Sequence, residues 1–216
     1  NRPLADGGAD SVPVTTASIV IPTYGAPDAE AAPGGPGRRL LCRAVESATG
    51  QADELILHHD PDPDPCALGR ARNAGIEATT GEWVLCLDAD DELAPGCVAA
   101  LLAAEGDVRC PAYQYARPDG TWAETIIRRR EPYLAGVAAL MRRSNYLRVR
   151  YREDVPCLED NDLWHRASLL GLRFVDVPEA VYRVHRRAGS RRLTKGRGVV
   201  RVQMESEARR WACSMS

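Results

Sequence analysis

Three short, almost wholly apolar runs leave this chain few ways to fold: Ala17 to Ile21, Glu54 to Leu57 and Trp83 to Leu87. Runs so brief and so continuous suit strands that are covered on both faces. Between them, Arg38 to Thr49 repeats Leu40, Leu41, Ala44, Val45 and Ala48 at helical spacing, and Leu68 to Ala78 returns to helical character. Strand, helix, strand, helix, strand in that order predicts a mostly parallel sheet joined by right-handed crossovers and covered on both faces. Pro22 is expected to stop the first strand. His58 to Pro65 (HHDPDPDP), whose three prolines remove donors, is expected to be neither helix nor central strand.

Further along, Pro95 to Ala104 reads as a helix, Asp107 to Ala112 as a strand and Trp122 to Arg129 as an antiparallel strand. Val137 to Met141 is an apolar run, and Asp162 to Leu170 sets Leu163, Trp164, Ala167 and Leu170 on one helical face. Arg173 to Val177 and Ala180 to Val184 are expected to close the sheet. A length of 216 residues fits one α/β domain better than two. Residues 1–16 read as a loose leader, 17–190 as the domain, and 191–216 as a basic segment expected to be helical. Residues Gly25 to Gly37 carry too much Gly and Pro for regular structure and form a long loop after the first strand.

With 28 basic and 30 acidic residues, the net charge of −2 gives no global field for nucleic acid. The stretch from Arg183 to Arg201 is strongly basic all the same, and it suits a solvated, phosphate-facing or peripheral membrane-contacting segment. No apolar run is long enough for a membrane-spanning helix. The seven cysteines (Cys42, Cys66, Cys86, Cys97, Cys110, Cys157, Cys213) form no CxxC pair, and they suit a reducing, cytoplasmic setting.

Four segments carry chemistry. Asp88-Ala-Asp-Asp91 follows the apolar strand WVLCL, and carboxylates that close repel one another unless a hard divalent cation neutralises them. The alternative is that one Asp caps the next helix. Leu158-Glu-Asp-Asn-Asp-Leu-Trp164 opens an amphipathic helix, where acids either complement the macrodipole or present a general base. Gly69-Arg-Ala-Arg-Asn-Ala-Gly75 offers arginine forks to phosphate oxygens or to solvent. Tyr182-Arg-Val-His185 ends in a histidine followed by basic residues.

In that order, ASIVIPTYG (17–25), LGRARNAGIEATTGEWVLCLDADDEL (68–93), CLEDNDLWHRASLLGLRFVDVPEAVYRVH (157–185) and the trailing RRAGS resemble the family-two glycosyltransferases of the GT-A fold. The resemblance implies a Rossmann-like three-layer sandwich, mostly parallel with a small antiparallel part. It implies an inverting, metal-assisted transfer from a nucleotide-diphosphate sugar to an acceptor hydroxyl on a glycan, lipid or protein, with Mn²⁺ or Mg²⁺ as cofactor. By that resemblance Pro22, Thr23 and Tyr24 lie against the donor nucleotide. Asp60, or His59 one place earlier, bonds the base, and Arg72 approaches the nucleotide with Asn73 supporting the turn. Asp90 binds the metal, Asp88 the metal or the ribose, with Asp91 adjacent. The Glu159–Asp160 pair is catalytic, with Asp160 the base. Trp164 packs near the acceptor, residues 112–151 shape its site, and His185 adds a metal or diphosphate contact. The HHDPDPDP turn replaces the family's usual Asp-Asp-Gly-Ser. Two other readings share the acidic site: a sugar-phosphate nucleotidyltransferase, and a catalytically silent nucleotide- or glycan-binding relative.

Overall fold

The computed structural model describes residues 15–25, 36–127 and 136–185. Its first half alternates as β1 (Ala17–Tyr24), α1 (Pro36–Ala48), β2 (Glu54–Asp60), α2 (Ala67–Ala78) and β3 (Trp83–Cys86). Strand β1 pairs in parallel with β2 on one side and β3 on the other. The chain therefore steps one way across the sheet after β1 and back past it after β2, so right-handed connections put α1 and α2 on opposite faces. Helix α2 packs on β1 and β2, while α1 meets β1 and the later β4.

The second half runs β4 (Glu92–Leu93), α3 (Cys97–Ala103), β5 (Val108–Tyr115), β6 (Leu140–Arg142), α4 (Arg143–Val149), α5 (Glu159–Leu169) and β7 (Phe174–Val184). The sheet order is β2-β1-β3-β6-β5-β7-β4. Strands β6 and β4 run antiparallel to their neighbours and the others are parallel, which is the expected α/β sheet with a small antiparallel part. Ile19, Ile21, Val84, Leu85, Leu87, Leu140 and Met141 are fully buried at its centre. The six described cysteines are free thiols, and burial pushes Cys86 and Cys97 up to about 12, so these two behave as small hydrophobes.

Several boundaries differ from the sequence expectation. Pro22 lies inside β1 rather than ending it. The Val20 carbonyl accepts from the Leu87 N–H, so Val20 and Pro22 both turn their main chain toward β3, which has already ended. No ladder bond is lost to the proline. Strand β2 continues through His58, His59 and Asp60, paired with Pro22, Thr23 and Tyr24, because the prolines begin only at Pro61 and β2 is an edge strand. The two closing strands are one, β7, whose register against β5 jumps between Pro111 and Ala112. The expected strand from Trp122 makes only isolated antiparallel bridges, Ala116 with Trp122 and Tyr113 with Ile126, and its end falls outside the described residues. The leader up to residue 14, most of the Gly-rich loop and the basic segment 191–216 also lie outside them.

Candidate active site

Strand β3 ends beside β1 and delivers Asp88 into a tight turn, closed by the Asp91 N–H donating to the Asp88 carbonyl at 3.0 Å. The turn gathers Asp88, Asp90 and Asp91, each offering a carboxylate oxygen within 4.8 Å of the others. None of the three caps a helix, since α3 starts at Cys97 behind Gly96. Asp91 is the buried member. Its Oδ2 accepts from the Tyr182 hydroxyl at 2.8 Å and its Oδ1 from the His185 N–H at 2.9 Å. Burial, with Asp88 and Asp90 alongside, still pushes its carboxyl up to about 8. Three oxygen donors that cannot all stay ionised unaided are a donor set for a hard divalent cation.

The acids of α5 reach the same place from the far end of the sequence. Leu158, at the N-cap, adopts a left-handed backbone (φ 61°), a strained conformation for a non-glycine residue, and it turns the chain directly into Glu159 and Asp160. Arg72 of α2 joins the two acidic segments: its Nη2 donates to Asp88 Oδ1 at 2.8 Å and its Nη1 donates to Glu159 Oε1. Its guanidinium carbon sits 5.1 Å from the Tyr151 ring centre. Burial opposes the charge on Arg72, yet Glu159 and Asp88 more than offset it and hold the group well above its ordinary range. Asp160 is half-buried, and burial, then the neighbouring Glu159, pushes its carboxyl up to about 6 against the pull of Arg72.

Helix α2 reaches this position because GRARNAG is lined with small residues. A Cβ on Gly69 would fall 2.3 Å from the Arg152 carbonyl oxygen, and one on Gly75 would fall 2.4 Å from Val20 Cγ1. Asn73 then locks the segment beneath Arg72. Its amide donates to the Tyr151 carbonyl at 2.9 Å and its Oδ1 accepts from the Tyr151 N–H at 2.9 Å. These bonds fix the main chain at Tyr151.

Pro22, Thr23 and Tyr24 end β1 alongside His58 to Asp60, at the carboxyl edge of the sheet where Asp88 also lies. Tyr24 is exposed, Pro22 is buried, and Thr23 Oγ1 meets His59 Nδ1 at 3.0 Å. The Asp-Pro repeat folds into three successive turns, in which the side chains of Asp60, Asp62 and Asp64 accept from the N–H two residues on, at 2.9, 3.0 and 2.9 Å. Arg70 binds Asp60 at 3.1 Å and Asp62 at 2.7 Å. The Asp62 N–H and Arg70 together hold the Asp60 carboxyl below its usual range.

Two placements depart from expectation. Trp164 is 0% exposed, its indole N–H donates to the Gly136 carbonyl at 2.7 Å, and Tyr146 and Phe174 pack edge-on around it. It is a core residue with no surface to offer an acceptor, because the apolar helical face that carries it points inward. The imidazole of His185 meets Glu92 at 2.6 Å through Nε2, so only Nδ1 could face a metal. Sequence reading missed Tyr151 and Trp122, and it named the segment of Tyr182 without its bond to Asp91. The Trp122 ring stands 5.1 Å from that of His185 and 5.0 Å from the Arg183 guanidinium. Nothing in periodicity marks these aromatics, since their value lies in contacts across distant strands.

Residues 66–169 match the model of glycosyl transferase family 2. The chain is thus similar, over residues 66–169, to family-two glycosyltransferases. Solved structures agree on its GT-A fold. S. aureus TarS 1-349 superposes with a TM-score of 0.59 at 14% identity over 79% of this chain and 60% of that one. Its complex with UDP-GlcNAc gives 0.59 at 15% identity, over 81% and 60%. GalNAc-T7 with UDP, GalNAc and Mn²⁺ gives 0.59 at 14%, over 83% and 45%. The chain thus spans less than two thirds of these relatives' length. No curated protein sequence matches it significantly. Among the described residues, no helix is long and apolar enough to cross a membrane.

Proposed function

We propose that the protein is an inverting glycosyltransferase that moves a sugar from a nucleoside-diphosphate donor to an acceptor hydroxyl, with Asp160 as the base. The observation carrying this reading is that two acidic segments distant in sequence, Asp88–Asp91 and Glu159–Asp160, meet around one buried guanidinium. UDP-sugars are the first donors to test, because TarS binds UDP-GlcNAc and GalNAc-T7 binds UDP. Pro22, Thr23, Tyr24 and Asp60 form the wall for the nucleotide, at the strand ends where ligands of parallel sheets bind.

Asp88 and Asp90 would hold Mn²⁺ or Mg²⁺, with Asp91 behind them. When bound, the ion would offset charge developing on the departing diphosphate. Glu159 is committed to Arg72, whereas Asp160 Oδ1 accepts from the Asn161 N–H at 2.8 Å, which makes Asp160 the better placed base of the pair. A carboxyl raised to about 6 is still ionised at neutral pH and is a stronger proton acceptor than an ordinary aspartate. It would take the proton as the acceptor oxygen attacks the anomeric carbon opposite the leaving group, which inverts that centre. Residues 112–151, with Trp122 beside His185, would shape the acceptor side. We also place the protein in the cytoplasm, with peripheral membrane contact through its basic C-terminal segment.

Incubation of the protein with UDP-GlcNAc or other UDP-hexoses and Mn²⁺ is expected to release UDP. Asp90→Ala is expected to abolish release and weaken metal-dependent UDP binding, whereas Asp160→Asn abolishes turnover and leaves binding intact. Near-normal turnover in Asp160→Asn would remove Asp160 from the role of base. Pyrophosphate release from a nucleoside triphosphate and a sugar phosphate would instead favour a nucleotidyltransferase.

A further inference from the structure

We propose that Arg72 is a positioning residue that locks the Asp88 loop to the start of α5, and not a ligand of the nucleotide. The inference rests on the reading of residues 88–91 and 159–160 as two halves of one transfer site. Arg72 is 2% exposed, and both of its terminal nitrogens are already engaged, one by Asp88 and one by Glu159. Tyr151 lies against one face of the guanidinium, and at 2% exposure the side chain offers little surface to a diphosphate. To reach a ligand the side chain would have to release two carboxylates, leaving each partly buried and uncompensated, which is the costly way to break such a network.

Nor can the helix bring the residue forward. Gly69 and Gly75 seat α2 directly against the Arg152 backbone and Val20, and Asn73 pins it to both main-chain polar groups of Tyr151. The partners of Arg72 lie 16 and 87 residues away, on the end of a strand and the start of a helix. One planar fork spans both, whereas a lysine ammonium, a single point on a flexible stem, could hold one acid at a time. Asp160 is the next residue after Glu159, so slack in the Glu159 contact moves the base relative to the metal-binding loop. Misplacement of a reacting group by about 1 Å can lower turnover about a hundredfold.

The test separates turnover from binding. For Arg72→Lys, kcat for UDP release from UDP-GlcNAc with Mn²⁺ is expected to fall about a hundredfold, with UDP affinity by calorimetry in the absence of divalent metal close to that of the parent. Glu159→Gln, which keeps the shape and one acceptor oxygen, serves if Arg72→Lys fails to fold, and the same split is expected of it. The double variant is expected to lose no more than the worse single one, because each breaks the same clamp. A parallel loss of metal-free UDP affinity in Arg72→Lys would make Arg72 a nucleotide ligand and overturn the proposal, as would additive losses in the double variant or an unchanged kcat in both singles. If the parent protein neither binds UDP nor releases it, the choice of UDP as the donor nucleotide fails. The clamp is then judged by thermal unfolding of the same three variants: non-additive losses uphold it as a structural lock, and additive ones remove it.

Discussion

Asp160 and Asp91 are two aspartates moved from ordinary behaviour by their surroundings, and each has a measurable consequence. Burial and Glu159 raise Asp160 to about 6, so a base at this position is protonated and idle at lower pH. The kcat/KM for UDP release is expected to climb through about pH 6 and then level off, and Asp160→Asn is expected to abolish the activity across the range. Asp91 depends on Tyr182, whose hydroxyl donates to its carboxylate at 2.8 Å while accepting from the Asp88 N–H at 3.3 Å. Tyr182 is 1% exposed, so Tyr182→Phe leaves buried polar groups unpaired and is expected to lower stability by about 1–3 kcal/mol in denaturant unfolding. The acids of this site were legible in the sequence because carboxylates crowded after an apolar strand are unusual enough to need a reason. The tyrosines were not, since a Tyr inside a strand pattern is equally at home in any core.

The elements depend on close approach as much as on periodicity. Helix α2 was readable from its spacing, but its depth against the sheet is set by Gly69 and Gly75. At Gly69 the atom in the way is a main-chain carbonyl oxygen, which cannot rotate aside. Gly69→Ala is therefore expected to cost about 1–3 kcal/mol in denaturant unfolding, as overpacking does, and to loosen the Arg72 contacts as α2 lifts. The turn after β2 shows the opposite failure. Three prolines suggested an irregular segment, and the structure reveals an ordered ladder in which each Asp side chain accepts from the N–H just beyond the intervening proline. Strand β4, only two residues long, could not be seen in the sequence because its pairing with β7 is wholly non-local.

For the whole molecule, the acidic centre is expected to tie folding to pH and to a divalent cation. Asp91, raised to about 8 chiefly by burial, and Asp160, raised to about 6, bind protons more tightly when folded than when unfolded. The metal-free protein is therefore expected to lose stability as pH rises from about 4, where unfolded aspartates ionise, to about 8. A bound divalent cation favours the ionised carboxylates and should flatten that decline. Mn²⁺ at about a hundred times its Kd is expected to add about 2.7 kcal/mol, seen as a rise in Tm at pH 7.5 that Asp90→Ala abolishes.

The sequence alone determined the alternation of strands and helices and the acidic segment at the end of β3, because apolar periodicity and charge crowding are local properties of the chain. Only the tertiary structure decided that Trp164 is buried, that His185 turns its ring to Glu92, and that Arg72 lies between Asp88 and Glu159. Those outcomes depend on which faces meet when α2, α5 and β7 dock on the sheet, and docking is governed by packing between residues dozens of positions apart, which no local pattern encodes.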